Sequence, residues 1–214
     1  MRAVDKGKSP YSILKQYQDA YPYLAEKLGE YCSYCEMRVT TILAVEHKES
    51  KNSGGSLCGW DNLLLACTYC NSRKGEKIKL HQKGRWIWPD EDDTNSAFRY
   101  IQGIPSLNET ELQKKGQKYY QRAENVFQDI ELGKRPDPTK KDTRFINRID
   151  AFGKAERAKE RWDKMKGTPY ESDELRAICD MADSTGFYSV WIEVFQSDKK
   201  VCDTLADKFP GTRK

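Results

Sequence analysis

The sequence predicts an α+β chain: a zinc-stapled core preceded by N-terminal helices and followed by a mostly α-helical C-terminal region. Three observations point there. Two C-x-x-C pairs, Cys32/Cys35 and Cys67/Cys70, have the spacing of metal knuckles. Between them lies a short β-branched apolar run, V-T-T-I-L-A-V over 39–45, which reads as a strand. After Asn108 the apolar spacing becomes helical. The divisions that follow are a helical arm over 1–30, a core over 31–90 and a helical region over 91–214 for packing and partner docking.

Residues 1–9 carry Lys, Ser and Gly and read as a short arm. Ser9-Pro10 resembles a helix start, and Tyr11, Leu14, Tyr17 and Tyr21 continue at helical spacing. Pro22 divides this into two short helices that end near Gly29. Such tyrosines serve core packing or stack on bases. The predicted strand over 39–45 delivers Glu46 and His47 at its end, and residues 48–59 form a polar, glycine-rich loop. A helix is predicted from Asn71 towards Leu80. The run Asp90-Glu91-Asp92-Asp93 reads as a solvated acidic turn, and Phe98–Ile101 as a short strand before a turn at 103–105. One helical face then joins Leu112, Tyr119, Tyr120, Ala123, Phe127 and Ile130, up to Gly133. A linker with Pro136 and Pro138, flanked by Lys134, Arg135, Lys140 and Lys141, precedes a second face from Phe145 to Met165. Apolar segments centred on 175–181, 188–195 and 201–209 complete the chain. Trp162, Phe187, Trp191 and Phe195 belong to a core or, in part, to an exposed docking face.

Composition narrows the class. Of 214 residues, 37% are hydrophobic and 33% charged, polar for a folded chain, but 11% aromatics and five tryptophans argue against disorder. The net charge of +4 is spread along the chain, which allows nucleic-acid binding without a concentrated basic arm. Seven cysteines, an odd number, argue against a disulfide framework. The first residues lack an apolar leader, and no run approaches the ~20 apolar residues of a membrane span. A reducing, cytoplasmic location with no membrane contact is expected.

Four thiolates complete a tetrahedral zinc shell with no open position, so this metal is expected to be structural. His47 is weighed differently. It lies beside Glu46, inside the loop that the zinc closes. A neutral imidazole takes a proton from water near pH 7, and a carboxylate is a hard ligand for Mg²⁺ or Mn²⁺. Asn71 offers a second oxygen, and Lys48, Arg73 and Lys74 are candidate phosphate contacts.

Glu46-His47, Asn62-Leu63 and the C-x-x-C-N-x-x-K run of 67–74 resemble the HNH endonuclease family, of the kind with two C-x-x-C knuckles. The C-S-Y-C-E opening, E-H-K-E-S-K over 46–51 and the helical C-terminal half are similar to the HNH nuclease subunit (PtuB) of Septu-type and retron-associated anti-phage systems. That resemblance implies a ββα-metal core with one catalytic divalent ion. It implies His47 as general base, Glu46 and Asn71 as ion ligands, Asn62 as a brace for the loop orienting His47, and Lys74 on phosphate. It also implies a PtuA-like ATPase partner. Glu46 stands where many members have Asp and Asn71 where many have His, which leans the preference towards Mg²⁺. Glu36 is either a further carboxylate within reach of the ion or a surface acid on a tight turn. Two alternatives remain: a non-catalytic four-cysteine zinc module that binds nucleic acid or protein, and a stand-alone restriction-type nuclease.

Overall fold

The computed structural model describes residues 1–41, 43–137 and 141–213. Ile42 of the expected strand, and Pro138 and Lys140 of the expected linker, lie outside the described residues.

A single turn of 3-10 helix, Tyr17–Ala20, runs directly into α1, Tyr21–Leu28. Pro22 opens α1 instead of splitting it, because its missing N–H would have no acceptor in a first turn. Gly29, at φ 72°, ends the helix. The helix expected from Pro10 is absent: Tyr11 is instead drawn onto Tyr23 and Trp60, with ring centroids 5.6 and 5.7 Å away. The first residues are not a free arm, since Met1, Ala3 and Val4 are buried and Val4 donates to the Pro89 carbonyl at 2.7 Å.

Strands β1, Ala44–His47, and β2, Leu63–Ala66, pair antiparallel with Glu46 opposite Leu64 and His47 opposite Leu63. β1 starts later than the apolar run suggests: Val39, where that run begins, donates to the Glu30 carbonyl at 3.1 Å instead of joining the sheet. Glu46 and His47 therefore lie within the strand. Helix α2, Thr68–Lys74, follows β2 directly and stops at Gly75, where φ is 49°, well short of Leu80. β1, β2 and α2 together make the ββα arrangement.

Helix α3, Thr94–Ala97, leads to a hairpin of β3, Phe98–Ile101, and β4, Ile104–Leu107. The predicted helical face after Asn108 is two helices, α4 Glu109–Lys115 and α5 Gln117–Asp129, broken by Gly116 at φ 89°. Then come α6 Arg144–Met165, α7 Glu171–Thr185, α8 Tyr188–Phe195 and α9 Lys199–Lys208. Ala151, Ala155, Ala158 and Trp162 recur along one buried stripe of α6, and the small alanines let neighbouring helices approach closely. Trp162, Phe187, Trp191 and Phe195 are all buried, so none forms an exposed docking face. The larger hydrophobic cluster runs from Met1 through the ββα unit to Val190, across the divisions at 30 and 90. Gly186 seats the C-terminal helices on the first knuckle: a Cβ there would lie 2.6 Å from the Arg38 nitrogen.

The acidic run is only partly solvated: Glu91 and Asp93 are exposed, but all four acids are paired. Asp90 receives both Lys6 and Lys48 at 2.7 Å, and Glu91 receives Lys48 and Lys83 at 2.5 Å. Asp92 pairs with Arg122 at 2.8 Å, and Asp93 caps α3. Lys6 and Lys48 are buried, so a polar run at the sequence level is one half of an internal ion network. Burial pushes the Asp90 carboxyl up, but the two ammonium groups outweigh it and hold it below the ordinary range. Asp90→Asn would leave buried Lys6 without a carboxylate partner and Lys48 with Glu91 alone, and is expected to cost about 3–5 kcal/mol in urea unfolding at pH 7. The Asp90 contribution is complete above the unfolded carboxyl pKa of about 4 and is lost as pH falls below it, so the variant and the parent should converge in acid. Equal unfolding midpoints at pH 7 would contradict this network.

Candidate active site and metal centre

The four-cysteine cluster is assembled from two turns. Cys32 and Cys35 lie on the turn before β1, which Ser33 ties to β2 by donating to the Leu65 carbonyl at 2.8 Å. Cys67 caps α2 and Cys70 sits in its first turn. All four are buried, and their sulfurs lie within 4.8 Å of one another. The Cys35 and Cys67 sulfurs are 3.7 Å apart. A tetrahedron with Zn–S bonds of about 2.3 Å has edges of about 3.8 Å, so the donor set fits zinc. Arg144, itself buried, reaches the Cys70 sulfur at 3.4 Å and the Ile130 carbonyl at 2.9 Å. Its positive charge offsets a four-thiolate shell and ties α6 to it.

Beside this cluster is a cleft of about 240 Å³ whose walls include Tyr17, Glu46, His47, Lys51, Asn71 and Glu76. The His47 ring is held in place on two sides. Its Nε2 lies 2.9 Å from the Leu57 carbonyl, and its ring meets Tyr17 edge-on at 4.7 Å between centroids. A carbonyl only accepts, so Nε2 carries the proton and Nδ1 is left with its lone pair. Burial lowers the His47 pKa most, the Leu57 contact opposes it, and Lys51 and Lys74 lower it further; the net shift is downward from 6.5. This downward shift favours the neutral imidazole.

Leu57 sits in the 48–59 loop, and Asn62 holds that loop. Its amide nitrogen donates to the Ser56 carbonyl at 2.8 Å and the Glu49 carbonyl at 3.1 Å, while its oxygen accepts from the Glu49 nitrogen at 2.8 Å. Gly55 is required by close approach, since a Cβ there would lie 2.2 Å from the Glu49 oxygen.

Glu46 is buried on the cleft wall. Tyr34 donates to one oxygen at 2.5 Å and Lys74 pairs with the other at 2.6 Å. Burial raises the Glu46 carboxyl, Lys74 and Tyr34 oppose it, and the net shift is upward. Each oxygen keeps a second lone pair. The exposed Asn71 side chain makes no hydrogen bond among the described residues. One carboxylate and one free amide oxygen are hard donors of the type that Mg²⁺ or Mn²⁺ takes.

The other expected residues are placed differently. Lys48 is fully buried and spent on Asp90 and Glu91. Lys74 lines the cleft but is 1% exposed; it holds Glu46 and donates to the His47 carbonyl at 2.6 Å, so it positions the site. Arg73 pairs with Glu131 at 2.8 Å, away from the cleft. Glu36 does not reach the cleft: its buried carboxylate accepts from the Ser189 hydroxyl at 2.6 Å and pairs with the Met1 amino group at 3.2 Å. Tyr17, Tyr34 and the Leu57 carbonyl escape sequence reasoning because each meets its partner only through the fold. The one local hint is Tyr34, inside the first knuckle.

Residues 32–77 match the family model described as HNH endonuclease. No curated protein and no solved structure matches the chain. Among the described residues, no helix is long and apolar enough to cross a membrane. Metal analysis of the purified chain is expected to find one zinc per chain. Stripping it with a strong chelator should free four additional thiols to a thiol reagent and lower the melting temperature sharply. Unchanged melting after complete chelation would contradict a structural zinc.

Proposed function

We propose that this chain is a metal-dependent endonuclease that hydrolyses nucleic-acid phosphodiester bonds at the cleft beside the zinc cluster. The observation that carries the reading is the 2.9 Å contact between His47 Nε2 and the Leu57 carbonyl, which assigns the proton to Nε2. Leu57 holds the Nε2 proton and leaves Nδ1 basic, in the same cleft as Glu46 and Asn71.

In this reading Nδ1 accepts a proton from water as the water oxygen attacks phosphorus and the bond to the leaving oxygen breaks. Leu57, the loop braced by Asn62, and Tyr17 keep the ring aimed. Glu46 and Asn71 would hold Mg²⁺ or Mn²⁺, which would supply positive charge for the phosphate and the leaving oxygen. Lys74 and Tyr34 keep the Glu46 carboxylate in place until then. A pure zinc-binding module has no use for a braced imidazole, and this favours catalysis over the binding-module reading.

The further assignment, an effector nuclease of an anti-phage complex with a PtuA-like ATPase, rests on the resemblance of the E-H-K-E-S-K segment and the C-S-Y-C-E knuckle to that group. Co-expression with the ATPase and size-exclusion chromatography test it. Co-elution supports the complex, whereas full activity of the chain alone supports a stand-alone nuclease.

Nicking of supercoiled plasmid and cleavage of tRNA, by the chain alone and with its ATPase, test the central reading. With Mg²⁺ or Mn²⁺ the parent should cut, and His47→Ala should lose at least about 10²-fold, the scale of general-base catalysis. Activity should fall as pH drops through a value below 6.5, where His47 becomes protonated. No cleavage by the parent with either metal, or equal rates for His47→Ala, would sink the nuclease reading.

Asn62→Ala is expected to lower the turnover rate about tenfold or more while leaving the zinc content intact, because it frees the loop that carries Leu57. An unchanged rate would show that the brace does not act on His47.

A further inference from the structure

The three cations that the sequence offers to a substrate phosphate are all paired with carboxylates of the protein itself, Lys48 and Lys74 in the interior and Arg73 at the surface. Lys48 pairs with Asp90 and Glu91, Arg73 with Glu131, and Lys74 with Glu46. One lysine on the cleft wall is left. Lys51 is exposed, and among the described residues no carboxylate lies within ion-pair distance of it. The two carboxylates on the same wall are engaged elsewhere: Glu46 with Lys74, and Glu76 by the Asn52 amide at 2.6 Å.

Lys51 is also held in position. Its ammonium group donates to the Tyr17 hydroxyl at 3.0 Å and lies 4.3 Å from the Tyr17 ring centroid. The same ring packs on His47. Tyr17 belongs to the 3-10 turn before α1, outside the matched residues 32–77. A lysine this long has much rotamer freedom to lose on binding, and a cation–π contact with a hydroxyl acceptor removes part of that cost beforehand.

We propose that Lys51, steered by Tyr17, is the residue that binds the substrate phosphate at the His47 cleft. This deepens the nuclease reading and rests on it. It makes the N-terminal segment part of the active site: one tyrosine ring sets both the general base and the phosphate contact. Lys51 binds the backbone and carries no base information, so its effect is the same on any sequence.

The test is salt-dependent binding, measured by fluorescence anisotropy with labelled DNA duplex, DNA single strand and RNA of one sequence. The full-length protein with His47→Ala is used so that no cutting interferes. A phosphate contact contributes about 0.9 to the slope of log K against log salt on duplex and about 0.7 on single strands, or about eightfold in affinity at 0.1 M salt on duplex. Adding Lys51→Ala should remove that slope and affinity on the form that binds. Lys51→Arg should restore most of both, which a merely structural role would not do. Tyr17→Phe, lacking the hydroxyl, should fall between them. In the cleaving protein, Lys51→Ala should raise KM more than it lowers kcat. An unchanged slope for Lys51→Ala on every form, or no binding of any form before Lys51 is altered, would overturn the proposal. Failure of the nuclease reading is read separately, from the parent's cleavage activity: a parent that binds through Lys51 but never cuts contradicts that reading alone.

Discussion

The approach of four thiols from two distant turns is the constraint on which the site depends. Cys32 and Cys35 precede β1, and Cys67 and Cys70 follow β2, so bringing their sulfurs within 4.8 Å closes the intervening chain into a loop. Two strands of four residues each are too short to hold their register alone. A metal bound by both turns would fix that register, and register decides which side chains of β1 face the cleft. In the proposed function the cluster places the chemistry without taking part in it. The same principle extends outward, since Arg144 ties α6 to the cluster and Gly186 seats α8 against the first knuckle. The C-terminal helices are thus continuous with the support of the site.

Around that scaffold, charge is used mostly for positioning. Lys6, Lys48 and Lys74 are buried with carboxylate partners. Such pairs seldom add much net stability over apolar packing, but each is costly to break and directional. The Glu46–Lys74 pair shows the use of this directionality: it points a carboxylate at the cleft while locking the backbone carbonyl of the adjacent His47. His47 is fixed by equally indirect means, through a backbone carbonyl whose loop hangs on the Asn62 amide.

What could be read from the sequence followed from whether its determinants were local. The two knuckles and α8, which begins and ends where its apolar segment does, follow from spacing over a few residues. Glu46, His47, Asn62 and Asn71 were recognisable as a set because several spaced elements occur in the same order as in one family. Charge was misread wherever partners lie far apart in the chain. Asp90 looks solvated until Lys6 and Lys48 arrive from 84 and 42 residues earlier. Lys48 and Lys74 look like phosphate contacts for the same reason, and Met1 to Val4 look free until Pro89 is seen to accept from Val4. β-branched composition places the strand too early because it does not reveal that Val39 bonds to the Glu30 carbonyl instead of to β2. Tyr17 was legible as a packing tyrosine but not as the neighbour of His47, a contact across thirty residues.

The account assigns shape to the cysteines and chemistry to Glu46, His47 and Asn71, with a different metal for each task. Anomalous diffraction from crystals grown with manganese, recorded at the zinc and manganese absorption edges, tests that division most directly. The account predicts a zinc peak about 2.3 Å from all four cysteine sulfurs and a separate manganese peak bound by Glu46 and Asn71 beside His47. A manganese peak elsewhere, or no zinc among the cysteines, would contradict it.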